Sequence, residues 1–218
     1  MLYTNVVPWD IETGPLPENV IESFFSSIKP DRRIKDPVKI AANIAEKRQA
    51  MMEEATLKPH LSKVLAIACG EHIFHSATDE SGVLNDFWDA IQSAHNGGGA
   101  LFVGYCSAGF DLPFVMKRSW ALGVHMPDWV FDGRYTHKSF VDAAIVLACG
   151  RREDIVSLDV AARMLGVGKK SGNGADFWRE YLSGDASRRE AALAYCAHDK
   201  ELTLGIATKL HLETMFSQ

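Results

Sequence analysis

The chain has 218 residues, of which 47% are hydrophobic and 23% are charged. This is the composition of a globular domain with a sizeable core, and it excludes disorder, collagen and coiled coil as the main state. The formal net charge of −5, taken alone, argues mildly against a nucleic-acid partner. No apolar run approaches the ~18 residues of a membrane helix, so we expect no membrane association.

The first half of the chain alternates apolar strand patterns with helical ones. Pro8 is unfavourable within the first strand, because proline cannot donate to a sheet ladder. In chain order we predict a strand over 5–11, a helix over 38–54, a strand over 64–69 with a hairpin partner over 72–76, a helix over 81–95 and a strand over 100–105.

Helical patterns dominate the second half. We predict helices over 111–123, 139–149, 158–165 and 186–212, with a Gly-rich exposed loop over 166–175. Strands mixed with helices in this order predict one α/β domain over 1–218. Its helical insert, at about 36–55, is long for a connection between two strands.

The cysteines and the amino terminus favour a cytoplasmic protein. Cys69, Cys106, Cys149 and Cys196 are widely spaced in apolar stretches without a C-x-x-C pair, which predicts reduced, buried thiols. The first ten residues lack the basic region and cleavage site of a signal peptide.

Three short segments carry acids that could share one site. Asp10 and Glu12 are two apart on the first strand, so they point to the same face. Asp111 stands where a loop enters a helix, a position that by itself is typical of a helix cap. Tyr195 and Asp199 are four apart and share a helix face. Together they supply four carboxylates and a phenol, and carboxylate oxygens are the ligands that Mg²⁺ and Mn²⁺ prefer.

In this order, the three segments resemble the motifs of the DEDD superfamily, the DnaQ-like 3′–5′ exonucleases with an RNase H-like fold. The D-x-E of Asp10 and Glu12, the Phe-Asp at Asp111 and the Y-x-x-x-D of Tyr195 and Asp199 carry the resemblance. The chain is most similar to the proofreading domain of family-B DNA polymerases or to a stand-alone relative of it. The tyrosine assigns it to the DEDDy branch, because the other branch has histidine where this chain has Ala194.

The resemblance implies a two-metal site that uses Mg²⁺ or Mn²⁺. Asp10 would bridge both ions, Glu12 and Asp199 would hold the ion that activates water, and Asp111 would act at the second ion. Tyr195 would orient the attacking water, because a phenol with a pKa near ~10 is a poor base at neutral pH.

Substrate contacts are expected from residues beside these motifs. Cys106 stands where the family-B pattern usually has asparagine, Phe110 could stack on a base, and Thr13 follows the first motif. Lys169 and Lys170 are the first choice for phosphate contacts, because their Gly-rich loop can approach a backbone closely. The other basic pairs are Arg32-Arg33, Lys117-Arg118, Arg151-Arg152 and Arg188-Arg189.

The resemblance predicts a metal-dependent 3′–5′ exonuclease that releases nucleoside 5′-monophosphates from single-stranded DNA ends. It favours DNA over RNA by analogy, and a DNA polymerase or a repair complex is a possible partner. An RNA-trimming exonuclease is one alternative. A catalytically weak nucleic-acid-binding or polymerase-partner module is another, and Cys106 is the one feature in its favour.

Overall fold

A computed structural model of the protein describes residues 5–25, 28–132 and 135–215. The chain divides into two compact units, one of Met1–Glu12 with Val64–Gln218 and one of Thr13–Lys63. Each unit is described separately below. Among the residues that the structure describes, no helix is long and apolar enough to span a bilayer.

Within Thr13–Lys63, the main element is a long helix that begins at a proline. Asp36 caps it by accepting the N–H groups of Val38 and Lys39, and Pro37 occupies the first turn, where its missing N–H costs nothing. Ile21, Ala55 and Leu61 form the small core of this unit. The helices are α1 (Glu18–Ser23) and α2 (Pro37–Glu53), and α2 confirms the helix predicted over 38–54.

The larger unit is built on a five-stranded mixed sheet with the strand order β3-β2-β1-β4-β7. β1 runs parallel to β4, β4 parallel to β7, and β2 antiparallel to β3. A separate hairpin joins β5 to β6. The strands are β1 (Asn5–Pro15), β2 (Ser62–Cys69), β3 (His72–His75), β4 (Ala100–Gly104), β5 (Phe131–Asp132), β6 (Tyr135–Thr136) and β7 (Phe140–Asp142).

Helices cover both faces of this sheet, because its central strands are apolar on both sides. Every residue of β4 is buried. Phe102 packs into a core that contains Trp9 and Phe87, whereas Leu101 and Val103 pack into a second core; this alternation is that of a strand buried on both faces. The helices are α3 (Glu80–Asn96), α4 (Asp111–Leu122), α5 (Ala143–Leu147), α6 (Leu158–Met164), α7 (Phe177–Tyr181), α8 (Ala186–Lys209) and α9 (Leu212–Met215).

Pro8 lies in the central strand without breaking it. In a strand the N–H and C=O groups of one residue point to the same side. The Pro8 carbonyl accepts a hydrogen bond from the N–H of Gly70 (2.9 Å), which follows the last residue of β2. The donor that proline lacks would therefore point to the place where β2 ends and the chain turns, so little pairing is lost.

Two sequence expectations were wrong in detail. The segment 139–149 is not one helix: β7 pairs with β4, and α5 begins only after Asp142. Asp142 marks this change because it ends the strand and its carboxylate accepts the N–H of Ala144 (2.9 Å). Not all four thiols are buried: Cys106 is half-buried, and Cys149 is exposed in a turn with a φ of 50° after α5. The short α1, α7, β5 and β6 were not predicted.

A buried ion pair links α3, α4 and β2. The Arg118 guanidinium donates to both oxygens of Glu80 (2.9 and 2.7 Å), and Glu80 also accepts the N–H of Val64 (2.8 Å). The side chains of Glu80 and Arg118 are only 7% and 9% exposed. Arg118 is therefore unavailable for the phosphate contact that its sequence pair suggested.

We expect Glu80→Ala to lower the free energy of unfolding by about 3–5 kcal/mol, because it leaves the Arg118 charge buried without its carboxylate. Glu180→Ala is the matched control, since the Glu180–Arg188 pair is half exposed, and its cost should stay below ~1 kcal/mol. Urea denaturation of both variants measures the difference. Equal losses would contradict a structural role for the buried pair.

Candidate active site

The side chains of Asp10 and Glu12 point from one face of β1, while those of Trp9 and Ile11 pack into the core on the other face. Trp9 and Ile11 belong to the core cluster around Phe87. Period-two alternation then forces Asp10 and Glu12 to the opposite face. Glu12 is buried and Asp10 is partly buried, so the strand holds two acids side by side with little access to water.

Asp111 is positioned by the loop between β4 and α4. It is the first residue of α4 and is buried. Cys106 in this loop has a φ of 59°, in the left-handed region that non-glycine residues seldom adopt. The Asp142 carboxylate stabilises the loop, because it accepts the N–H groups of Cys106 and Ala108 (both 3.0 Å).

Asp142 is a positioning residue that the sequence did not assign. An acid in the apolar segment 140–149 is the available signal, but an acid in such a position is equally typical of a helix start. It does cap α5, but its two oxygens also fix the loop that leads to Asp111. Its second role depends on pairing between β4 and β7, which no local pattern reveals.

Asp199 and Tyr195 lie one turn apart on α8. Asp199 is buried, and one of its oxygens lies 2.6 Å from the Lys170 ammonium. The same ammonium lies 5.2 Å from the centroid of the Tyr195 ring. The Lys170 N–H donates to Asp159 (2.8 Å), and His198 donates to the Lys169 carbonyl (2.8 Å). The Gly-rich loop is thus fixed beside the two α8 residues.

The four carboxylates lie close enough to perturb one another. Burial and then Asp199 raise the pKa of Asp10 from 3.8 to about 7, and Lys170 partly offsets this rise. Burial and then Asp10 and Asp199 raise the pKa of Glu12 well above its usual value. Burial and then Asp10 likewise raise the pKa of Asp111. These three carboxylates ionise less readily, first because they are buried and then because neighbouring acids carry charge.

Tyr195 presents a neutral hydroxyl to this group. Burial, followed by the adjacent Asp199 carboxylate, raises the pKa of Tyr195 above that of a free phenol. Its oxygen is buried without a hydrogen bond among the described residues. The loop approaches the ring closely: a Cβ at Gly172 would lie 3.1 Å from it, and the ring would have to shift by a few tenths of an ångström to admit a side chain there. A cavity of about 720 Å³ opens beside Tyr195, between Asn173, Phe177 and His198.

The site offers a group of ligand atoms that could hold a metal ion. Ligand atoms of Asp10, Glu12 and Cys196 lie within 4.8 Å of one another. The second oxygen of Asp199 is buried without a hydrogen bond within the described part of the chain, and such an atom is costly unless a cation or water meets it. Cys196 was not predicted here, because its thiol was interpreted as core. Burial raises the pKa of this thiol, as do Asp10 and Glu12.

The predicted substrate contacts fall in several places. Cys106 lies in the loop before Asp111, and Phe110 packs on Phe114 with ring centroids 5.4 Å apart. Lys169 is exposed, whereas Lys170 is paired with Asp199. Thr13 belongs to the other unit, where its hydroxyl donates to the Thr56 carbonyl (2.6 Å).

The fold resembles part of a known polymerase structure. It is similar to a family B DNA polymerase from the hyperthermophilic archaeon Pyrobaculum calidifontis, with a TM-score of 0.55 and 22% sequence identity. The similarity covers 94% of this chain and 24% of the polymerase chain, so this chain spans about a quarter of the polymerase's length. The likeness supports the predicted α/β fold, a mixed sheet flanked by helices. None of the curated proteins matches this chain.

Residues 54–206 match the sequence model of a family described as a predicted 3′–5′ exonuclease related to the exonuclease domain of PolB. The match includes Asp111, Tyr195 and Asp199, and Asp10 and Glu12 lie before it. It covers more than half of the 218 residues. The suspected resemblance is confirmed: this chain belongs to the family of 3′–5′ exonucleases related to the exonuclease domain of PolB.

Proposed function

We propose that the protein hydrolyses single-stranded DNA from its 3′ end and releases nucleoside 5′-monophosphates. The observation that carries this proposal is the group of four carboxylates, Asp10, Glu12, Asp111 and Asp199; burial first, and then the charges of neighbours within the group, raise the pKa of Asp10, Glu12 and Asp111. A fold gains no stability by burying acids together, so such a group indicates a site for cations.

We propose that Asp10, Glu12, Asp111 and Asp199 together hold two divalent cations, Mg²⁺ or Mn²⁺, in the DEDDy arrangement. When bound, these cations would neutralise charge on the scissile phosphate and make hydroxide available near neutral pH. The carboxylates' own task is to fix the cations in a rigid frame. The frame is supplied by β1, α4 and α8, and buried side chains hold each of them to the sheet.

Tyr195 would orient the attacking water without removing its proton. Its raised pKa keeps the hydroxyl protonated near neutral pH, so it can donate one hydrogen bond and accept another. Because this oxygen has no partner among the described residues, it is free to hold a water. The cavity beside Tyr195 is within the size range of small-ligand pockets.

The first experiment follows a 5′-labelled single-stranded DNA in Mg²⁺ or Mn²⁺. The wild type should shorten it from the 3′ end, and Asp10→Asn should lower the rate by at least ~10³-fold, because one carboxylate charge is lost from the cation site without a change of shape. EDTA should abolish activity in both proteins.

Asp89→Asn is the matched control, because Asp89 is exposed on α3 and should leave the rate unchanged. A matched RNA oligonucleotide is tested beside the DNA. If the protein shortens RNA faster than DNA, RNA is its substrate and the proposal for DNA is wrong. Tight oligonucleotide binding without turnover under any metal would overturn the proposal in favour of a binding module.

Stability of the metal-free protein should fall as pH rises from about 5 to about 7, and Mn²⁺ should reduce this fall. The folded state holds a proton on Asp10 up to a pKa of about 7, whereas an unperturbed carboxyl releases it near 3.8. Between these values the folded state binds more protons than the unfolded state, so the free energy of unfolding decreases with pH.

Melting temperatures in EDTA and in Mn²⁺ across this range measure the effect. Asp10→Asn is the control, since it removes one titrating group and should flatten the profile in EDTA. Identical profiles with and without Mn²⁺ would contradict a shared cation site.

Tyr195→Phe should lower kcat by roughly 10²-fold, as expected when a reacting group is misplaced, and leave the pH profile of kcat unchanged. A residue that acted as the base would contribute a limb to that profile, and its loss would change the profile's shape. Steady-state kinetics at several pH values distinguish the two roles. Loss of a limb in the variant would show that Tyr195 moves a proton.

A further inference from the structure

The two units differ in charge. Residues 13–63 carry nine Lys or Arg against seven Asp or Glu, whereas the rest of the chain carries 14 against 21. The net charge of −5 therefore conceals a unit that is net positive. The positive residues concentrate in the segment 29–39, just before and at the start of α2.

This segment lines a cavity of about 570 Å³. Its charged lining is Lys29, Arg32, Lys35 and Asp31, and its apolar lining includes Ile34 and Ile40. Three cations and one anion thus face a single opening. All of its lining residues belong to Thr13–Lys63, and none is a carboxylate of the candidate active site.

The cationic charge of this cavity is not used by the fold. The side chains of Lys29, Arg32 and Lys35 make no hydrogen bond or ion pair within the described residues. In contrast, Asp31 is already neutralised, because both of its oxygens accept from Arg33 (2.7–3.2 Å). A potential ligand would therefore meet three free positive charges and one negative charge that is satisfied.

The cavity is also held in shape before any ligand arrives. The Asn43 side chain accepts the N–H of Asp31 (3.0 Å), and the Lys47 ammonium donates to the Lys29 carbonyl (2.7 Å). Both side chains extend from α2. They fix the backbone of the basic segment, so a ligand need not bear the full entropy cost of ordering it.

We infer that this cavity binds phosphates of a nucleic-acid backbone, as an anchor for the strand outside the catalytic carboxylates; the inference rests on the proposed function in that the substrate is nucleic acid. Three cations within seven residues suit consecutive phosphates, and Ile34 and Ile40 offer apolar contact to sugars. The lining includes no aromatic side chain, so the anchor would not depend on base stacking and would tolerate any sequence.

The test compares K29Q/R32Q/K35Q with K138Q/R163Q/K209Q, a control that removes the same charge from exposed side chains of the larger unit. Affinity for a single-stranded DNA of about 20 nucleotides is measured by fluorescence anisotropy in EDTA, so that hydrolysis plays no part. In the cavity variant, the slope of log Kd against the logarithm of the salt concentration should decrease by about 2, since each lost phosphate contact removes ~0.7 from that slope. The control should keep the wild-type slope.

A slope unchanged in the cavity variant, or reduced equally in the control, would overturn the anchor. Replacing chloride by inorganic phosphate at matched ionic strength separates the two phosphate sources. The difference between wild type and cavity variant should persist; its disappearance would mean a site for free phosphate and would overturn strand binding. Melting temperatures of both variants should equal that of the wild type, because all six side chains are exposed.

A second readout separates failure of the anchor from failure of the proposed function. The p-nitrophenyl ester of thymidine 5′-monophosphate carries one phosphodiester and no strand, so wild type and cavity variant should hydrolyse it at equal rates in Mn²⁺. For the oligonucleotide, the cavity variant should show a raised KM with kcat unchanged. If the wild type cleaves neither substrate, the proposed hydrolysis fails while the binding result in EDTA still decides the anchor.

Discussion

Mutual repulsion among four clustered carboxylates, three of them buried and Asp10 partly buried, is the constraint on which the larger unit depends. At about 4 Å and an effective dielectric of ~20, each close pair of unit charges repels by about 4 kcal/mol. The protein meets this cost partly by protonation, since the pKa of Asp10 rises to about 7, and partly by the Lys170 ammonium 2.6 Å from Asp199. Asp10 and Glu12 stay together because Trp9 before them and Ile11 between them are buried in the core.

The loop before α4 shows how the fold extends this rigidity to a residue that no strand carries. Asp111 follows a loop in which Cys106 has a strained φ of 59°. Such strain persists only where surrounding contacts impose it. The Asp142 carboxylate imposes it here through two backbone N–H groups while also capping α5. One side chain therefore joins the end of the sheet to the entrance of a site helix.

The sequence predicts the parts of this site that depend on residues close together in the chain, and it misses those that depend on distant residues. Asp10 with Glu12, and Tyr195 with Asp199, are recognisable because strand and helix periodicities put each pair on one face. The partners of Asp142 and Lys170 cannot be recognised in this way, because each lies more than 25 residues away along the chain. The sequence predicts that Lys170 contacts phosphate from an exposed Gly-rich loop. Its pairing with Asp199 depends on where that loop packs, which charge patterns alone do not encode.

Charge balance connects Lys170 with the proposed chemistry. Four carboxylates and one scissile phosphodiester would carry five negative charges, and Lys170 with two divalent cations would carry five positive ones. One ammonium alone leaves most of the charge uncompensated, and this repulsion adds to burial, the larger cause, in raising the pKa values of Asp10, Glu12 and Asp111. A single divalent cation would leave the loaded site negative and would repel a phosphate backbone. For the proposed hydrolysis, the same electrostatics that strain the metal-free fold would therefore favour two cations over one when a strand binds.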